Sequence, residues 1–297
     1  MRRILLLPLF LLLAACTSSG GAVRHSTPPA TSRSVVPSST PAPPSTTASR
    51  PAPSTSTHRS SSAHRTTPHR SSTPPAPPTG ITVVLNPGHN GGNATHIAEI
   101  NRQVPAGYGR YKACDTTGTN TDAGYPEHAF NWDVAVRVRA ILEAHGIRVI
   151  MTRPNDTGVG PCVDERAAIG NHSYVAAVVS IHADGAPSAG HGFHVNQDSQ
   201  IPDGATALVA HESDELGQAI HAALVRSSGL VPSTYIGNDG YYYRTDLAGL
   251  DLATRPATFL ELGNMRNAGD AALQSSASGR ERIAAAVAAG ILAYLHR

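Results

Sequence analysis

From residue 81 the chain alternates short, nearly continuous apolar runs with longer stretches of helical period. Ile81-Thr82-Val83-Val84-Leu85 is a β-branched run stopped by Asn86-Pro87-Gly88, and Ile147 to Met151, Val175 to Ile181 and Ala257 to Leu262 repeat the type. Between the first two, residues 126 to 145 put Phe130, Val134, Val138, Ile141 and Leu142 on one helical face, with Gly146 as the stop. Further helices are predicted near residues 163–172, 205–228 and 279–296. Strands that lack polar alternation are buried on both sides. The pattern therefore predicts an α/β fold: a single domain with a twisted, mostly parallel (mixed) sheet and helices on both faces. Residues 90 to 125, rich in Gly, Thr and Asn, fit neither period and read as an insertion. A loop of that length inside a compact domain is functional or disordered.

Upstream of residue 81 the pattern changes twice. Arg2 and Arg3 precede an apolar run from Ile4 to Leu13 that is too short to span a bilayer, followed by Leu13-Ala14-Ala15-Cys16. Residues 1–15 read as an export signal whose end looks like a bacterial lipobox, implying cleavage before Cys16 and acylation of its thiol. The plainer alternative is an ordinary secretion signal with an incidental cysteine. Residues 17 to 80 hold six Arg and no Asp or Glu, and Ser, Thr and Pro fill 41 of the 64 positions. Such a segment has too little apolar surface to fold alone. Residues 16–80 are thus expected to be a lipidated cysteine and a disordered tether. If extended, the tether would reach on the order of 200 Å, against roughly 45 Å as a coil. A passive spacer explains its composition better than a specific binding role does.

Charge separates the two parts. The whole chain carries a formal net charge of +2, yet residues 81 to 297 hold 15 Lys and Arg against 21 Asp and Glu. The folding part is acidic, which argues against a nucleic-acid partner, since that would need clustered cations on the domain. With Cys16 assigned to lipid, Cys114 and Cys162 remain. Outside the cytoplasm a disulfide between them is the first expectation, and metal ligation by the pair, which lacks CxxC spacing, is the rival.

The chemistry-bearing residues cluster at predicted strand ends. His89 follows the first strand, His182 ends Ser180-Ile181-His182-Ala183-Asp184, and Glu261 lies in Phe259-Leu260-Glu261-Leu262-Gly263-Asn264. Glu127 opens the helix after the first strand. A parallel sheet would bring all four to one rim, where ligands bind in such folds. Two imidazoles, one carboxylate and an open position make a catalytic zinc site, and a second carboxylate can serve as proton carrier. Taken singly, each histidine is more simply a structural residue, and Glu127 a favourable charge in a helix first turn. Glu261 has the sharper case, because an acid within an apolar strand is costly to bury unless paired or functional.

At these residues the sequence resembles the zinc-dependent N-acetylmuramoyl-L-alanine amidases of the amidase-3 type, over about residues 81 to 297. The likeness is closest to their compact actinobacterial members, which share the Tyr125-Pro126-Glu127-His128 run and the cysteine-bearing insertion. Asp164-Glu165-Arg166 stands in for an Arg-rich helix of the family. The resemblance implies one zinc ion on His89, Glu127 and His182, with Glu261 as catalytic carboxylate. It also implies cleavage of the amide joining muramic acid to L-alanine in peptidoglycan; together with the lipobox-like end of the signal, this makes a membrane-anchored lipoprotein facing the cell wall the expectation. Asn264 departs from the family's usual phenylalanine and bears on the wall of the subsite. Tyr108, Arg110 and Tyr111 in the insertion could meet glycan or peptide, or belong to a flap without contacts. His128, His191 and His194 read as supporting or structural. Another zinc peptidase acting on the same stem peptides, or a lipoprotein that binds wall fragments without cleaving them, is the alternative function.

Overall fold

A computed structural model describes residues 80–296. The expected signal peptide, Cys16 and the tether through residue 79 lie outside the described residues.

The strands are β1 (Thr82–Pro87), β2 (Gln103–Pro105), β3 (Tyr111–Ala113), β4 (Arg148–Met151), β5 (Val175–Asp184), β6 (His194–Asp198), β7 (Tyr241–Arg244) and β8 (Ala257–Asn264). The helices are α1 (Ile97–Ile100), α2 (Glu127–Ala144), α3 (Val163–Gly170), α4 (Ala207–Ser227), α5 (Ala248–Asp251), α6 (Ala268–Ser275) and α7 (Ala277–Leu295). Six strands form one sheet in the order β4-β1-β5-β8-β6-β7. β1 pairs in parallel with β4 and β5, β5 with β8, and β6 with β7, whereas β6 runs antiparallel to β8. This is the mixed, mostly parallel sheet that the apolar runs predict.

Both faces are covered. Val83, Leu85, Val179, Ile181, Leu260 and Leu262 pack with α2, α4 and α7 through Phe130, Val138, Leu216, Ile220, Val287 and Ile291. On the opposite face Val84, Val178 and Phe259 meet Leu250 of α5 and Ile169 of α3. The chain leaves β1 through α2 to reach β4 on one side, then crosses through α3 to β5 on the other. Strand order thus reverses at β1, and a crevice opens beyond its carboxyl end.

The insertion is structured. It contains a short 3-10 turn at Asn93–Thr95, α1 and an antiparallel β2–β3 hairpin. Cys114, just after β3, is disulfide-bonded to Cys162, the residue that caps α3.

Candidate metal and catalytic centre

The crevice at the ends of β1, β5 and β8 is a cavity of about 490 Å³. His89 lies one residue past Gly88 with φ of +58°, a left-handed conformation rare for a side-chain-bearing residue and often found where a site imposes it. Glu127 is the first residue of α2, after Pro126, whose extended backbone starts the helix. Its carboxylate reaches between two imidazoles: His89 Nε2 lies 3.1 Å from Oε2, and His182 Nδ1 lies 2.9 Å from Oε1. Oε1 also accepts from the amide of Asn131 and the backbone N–H of Ala183, and Oε2 from the backbone N–H of Thr119. One donor atom from each of His89, Glu127 and His182 lies within 4.8 Å of the others, so the three could hold a metal ion.

Each ring is fixed from behind. His182 stacks on Phe259 with centroids 4.2 Å apart, and Gly88 passes so close that a Cβ there would lie 1.9 Å from His182 Cε1. His89 Nδ1 faces Asp115 Oδ1 at 3.2 Å and the Thr116 carbonyl at 3.0 Å. Two buried guanidiniums hold the chain below. Arg166 donates to Asn86 Oδ1 and to the carbonyls of Pro87 and His89, and Arg153 donates to the carbonyls of Pro87 and His128.

The electrostatics follow from this packing. Burial works against ionisation of Glu127, but the His89 and His182 imidazoles outweigh it and keep the carboxyl well below the usual range. Burial also disfavours charge on His89. There the Glu127 and Asp115 carboxylates prevail and hold the pKa up at about 10. Glu261 behaves oppositely: burial, with Glu127 and Asp184 adding, pushes it well above the ordinary carboxylate range. Its Oε2 is buried without a hydrogen-bond partner.

Glu261 is opposite His182 in the β5–β8 register and opposite His194 in the β8–β6 register, so the three form a row on one face. His194 is buried with Nδ1 unpartnered, and burial lowers its pKa to about 4. Tyr235 donates to Asp184 beside this row.

The four residues expected at one rim, His89, Glu127, His182 and Glu261, all line the cavity. Asn264 does not; its amide donates to the Pro187 and Gly190 carbonyls and staples the loop after β5. Within the insertion, Tyr108 donates to Asp198 and Arg110 to Asp251, while Tyr111 is exposed. The stretch that lines the cavity comes later, from Lys112 to Thr119. His128 bonds Asp156, and the backbone N–H of His191 donates to Thr234. Asp115 and the placement of His194 beside Glu261 escape sequence reasoning. Asp115 has one sequence clue, its place next to Cys114, whereas His194 stands in a short strand without a periodic signal.

Known proteins place this arrangement. The N-acetylmuramoyl-L-alanine amidase Rv3717 of Mycobacterium tuberculosis is 46% identical over 224 residues, covering 75% of this chain and 90% of that protein. The crystal structure of the N-acetylmuramyl-L-alanine amidase Ami1 from Mycobacterium smegmatis is 47% identical, with a TM-score of 0.69, covering 73% of this chain and 97% of that one. The apo form of Ami1 from Mycobacterium abscessus is 48% identical at a TM-score of 0.68, covering 73% and 99%. Residues 83–293 match the Amidase_3 family, and the chain therefore belongs to this family of N-acetylmuramoyl-L-alanine amidases.

Proposed function

We propose that the chain is a zinc-dependent amidase that hydrolyses the bond between the lactyl group of N-acetylmuramic acid and L-alanine of the peptidoglycan stem. The observation that carries this reading is the convergence of His89, Glu127 and His182 beside Glu261, whose Oε2 is buried and unpartnered at the same rim. Two imidazoles and one carboxylate are the donor set of an open, catalytic zinc site. When bound, zinc supplies a Lewis acid for the scissile carbonyl and lowers the pKa of water. Glu127, ionised between two rings, contributes the negative donor. Glu261 takes the proton from the attacking water and delivers it to the departing L-alanine nitrogen. Support for this role comes from its place at the rim, where Oε2 is buried without a partner and burial, with Glu127 and Asp184 adding, raises its pKa as in sites that carry protons.

In this reading the enzyme is exported and held at the membrane by a lipid on Cys16, with residues 17–80 as tether. Its support is the Leu13-Ala14-Ala15-Cys16 run and a substrate that lies outside the cytoplasm.

Mass spectrometry of purified muropeptides after incubation tests the reaction. Free stem peptide and unsubstituted glycan are expected, whereas a shortened stem still attached to glycan would identify a peptidase instead. The roles separate by isosteric replacement. Glu127→Gln should lower zinc occupancy and activity together. Glu261→Gln should keep about one zinc per chain while turnover falls roughly a hundred-fold or more. Near wild-type turnover by Glu261→Gln would refute its role as proton carrier.

A further inference from the structure

The insertion reaches the site at the far side of His89. A neutral imidazole carries a single ring proton, and the bond made by one nitrogen decides what the other can do. At Nδ1 the two nearest partners only accept, the Thr116 carbonyl at 3.0 Å and Asp115 Oδ1 at 3.2 Å, with the Thr116 hydroxyl at 3.3 Å beside them. Nε2 faces Glu127. A ring that gives its Nε2 lone pair to a metal ion must carry its proton on Nδ1, where the Asp115 carboxylate and the Thr116 carbonyl stand ready to accept it.

Asp115 is itself fixed by several partners. It is buried, its Oδ1 accepts from the backbone N–H of Thr116 at 2.7 Å, and its Oδ2 accepts from Asn90 at 3.1 Å and Arg166 at 3.4 Å. Arg166 also donates to the His89 carbonyl at 3.1 Å, so one guanidinium holds both members of the pair. The residue before Asp115 is Cys114, bonded to Cys162. A side chain held from this many directions can fix a ring's angle. Carboxylates in this relation to a ligating histidine set its tautomer and strengthen it as a ligand.

We propose that Asp115 is a positioning residue of the metal site: delivered by the disulfide-pinned insertion, it selects the Nδ1–H tautomer of His89 and aims Nε2 at the ion. The inference rests on the zinc reading of His89, Glu127 and His182. It gives the second half of the insertion a task, building the outer wall of the metal site, whichever glycan or peptide the cavity accepts.

The test measures zinc affinity of the full chain by competition with a chromophoric chelator, for the wild type, Asp115→Ala and Asp115→Asn. Asp115→Ala should weaken zinc binding about 10- to 100-fold, and Asp115→Asn, which keeps an acceptor oxygen but no charge, should recover part of that loss. Nitrogen-15 chemical shifts of the His89 ring supply a readout that a merely structural residue would not move. The zinc-loaded wild type should show one tautomer protonated at Nδ1, and zinc-loaded Asp115→Ala a mixture. A folded Asp115→Ala protein with zinc affinity within about two-fold of wild type overturns the proposal. Should Asp115→Ala fail to fold, Asp115→Asn decides by the same measure: weakening beyond that margin supports the proposal, and affinity within it overturns it. A wild type that takes up no zinc overturns this inference and the zinc reading together. A zinc-loaded wild type with indifferent Asp115 variants overturns this inference alone.

Discussion

Gly88 shows how little room the centre has. A methyl group there would overlap the His182 ring, which cannot retreat because Phe259 is stacked against it. Gly88→Ala should therefore displace a metal-site histidine while leaving the sheet intact. The expected outcome is a protein with wild-type circular dichroism, reduced zinc content and activity down about a hundred-fold, the scale of loss for roughly 1 Å of misplacement. A fully active Gly88→Ala protein would show that the ring has freedom the packing denies it. Gly118 is a second such point. Its φ is +74°, and a Cβ would lie 2.7 Å from Glu127 Oε2, so the turn that closes the cavity wall requires glycine. The meeting of His89, His182 and Glu261 at one rim is legible in the chain, because they sit in or just after runs that strand periodicity identifies. Asp115 is not, since its contact with His89 spans 26 residues of elements too short for any period to show.

At the scale of elements, the insertion is held by two different means. Near its tip, the backbone N–H of Tyr108 bonds Asp203, its hydroxyl bonds Asp198, Arg110 pairs with Asp251 at 3.1 Å, and Lys112 donates to the Asp246 carbonyl. Burial raises the Asp251 pKa to about 7, with the neighbouring Asp198 carboxylate adding to the effect and Arg110 opposing it. Between about pH 4 and 7 the folded chain thus retains a proton that the unfolded chain, with an ordinary aspartate, has released. Stability contributed by this group is full below that window and falls as pH rises through it. Asp251→Asn should flatten the dependence of melting temperature on pH across that window, and an unchanged slope would count against the assignment. The other tie is covalent. The disulfide spans 48 residues, and its closure stabilises by about 4 kcal/mol in the chain-entropy model. Cys162→Ser should lower the melting temperature by roughly 10 °C, read by calorimetry with and without reductant, and a reductant-insensitive wild type would contradict it. The long helices and the parallel strands follow from period alone, but β6 and β7 escaped it. β6 is a short His-Val-Asn-Gln-Asp run whose Asn196 and Gln197 are buried through hydrogen bonds, and three consecutive tyrosines in β7 give no inside-outside alternation. Tertiary contacts, not local pattern, make these segments strands.

For the whole molecule, the acidic domain and the cationic segment ahead of it differ sharply in composition. No helix among the described residues is long and apolar enough to cross a membrane. Retention at the membrane in the proposed reading therefore depends on Cys16, and Cys16→Ala should move the protein from detergent extracts of membrane into the soluble extracytoplasmic fraction. Unchanged partition would remove the lipid anchor from the proposal while leaving the catalytic domain untouched. The reactive centre is distributed along almost the entire domain: residues 89, 127, 182 and 261 arrive on separate strands and a helix, and meet only where the sheet changes direction. Contacts between such remote segments are among the slowest a chain makes. In the folded chain the donor atoms of His89, Glu127 and His182 lie within 4.8 Å of one another, although they come from three separate elements of the chain. A centre assembled in this way is complete only when the most distant of its segments has packed, so the chain holds all four residues before it holds the site.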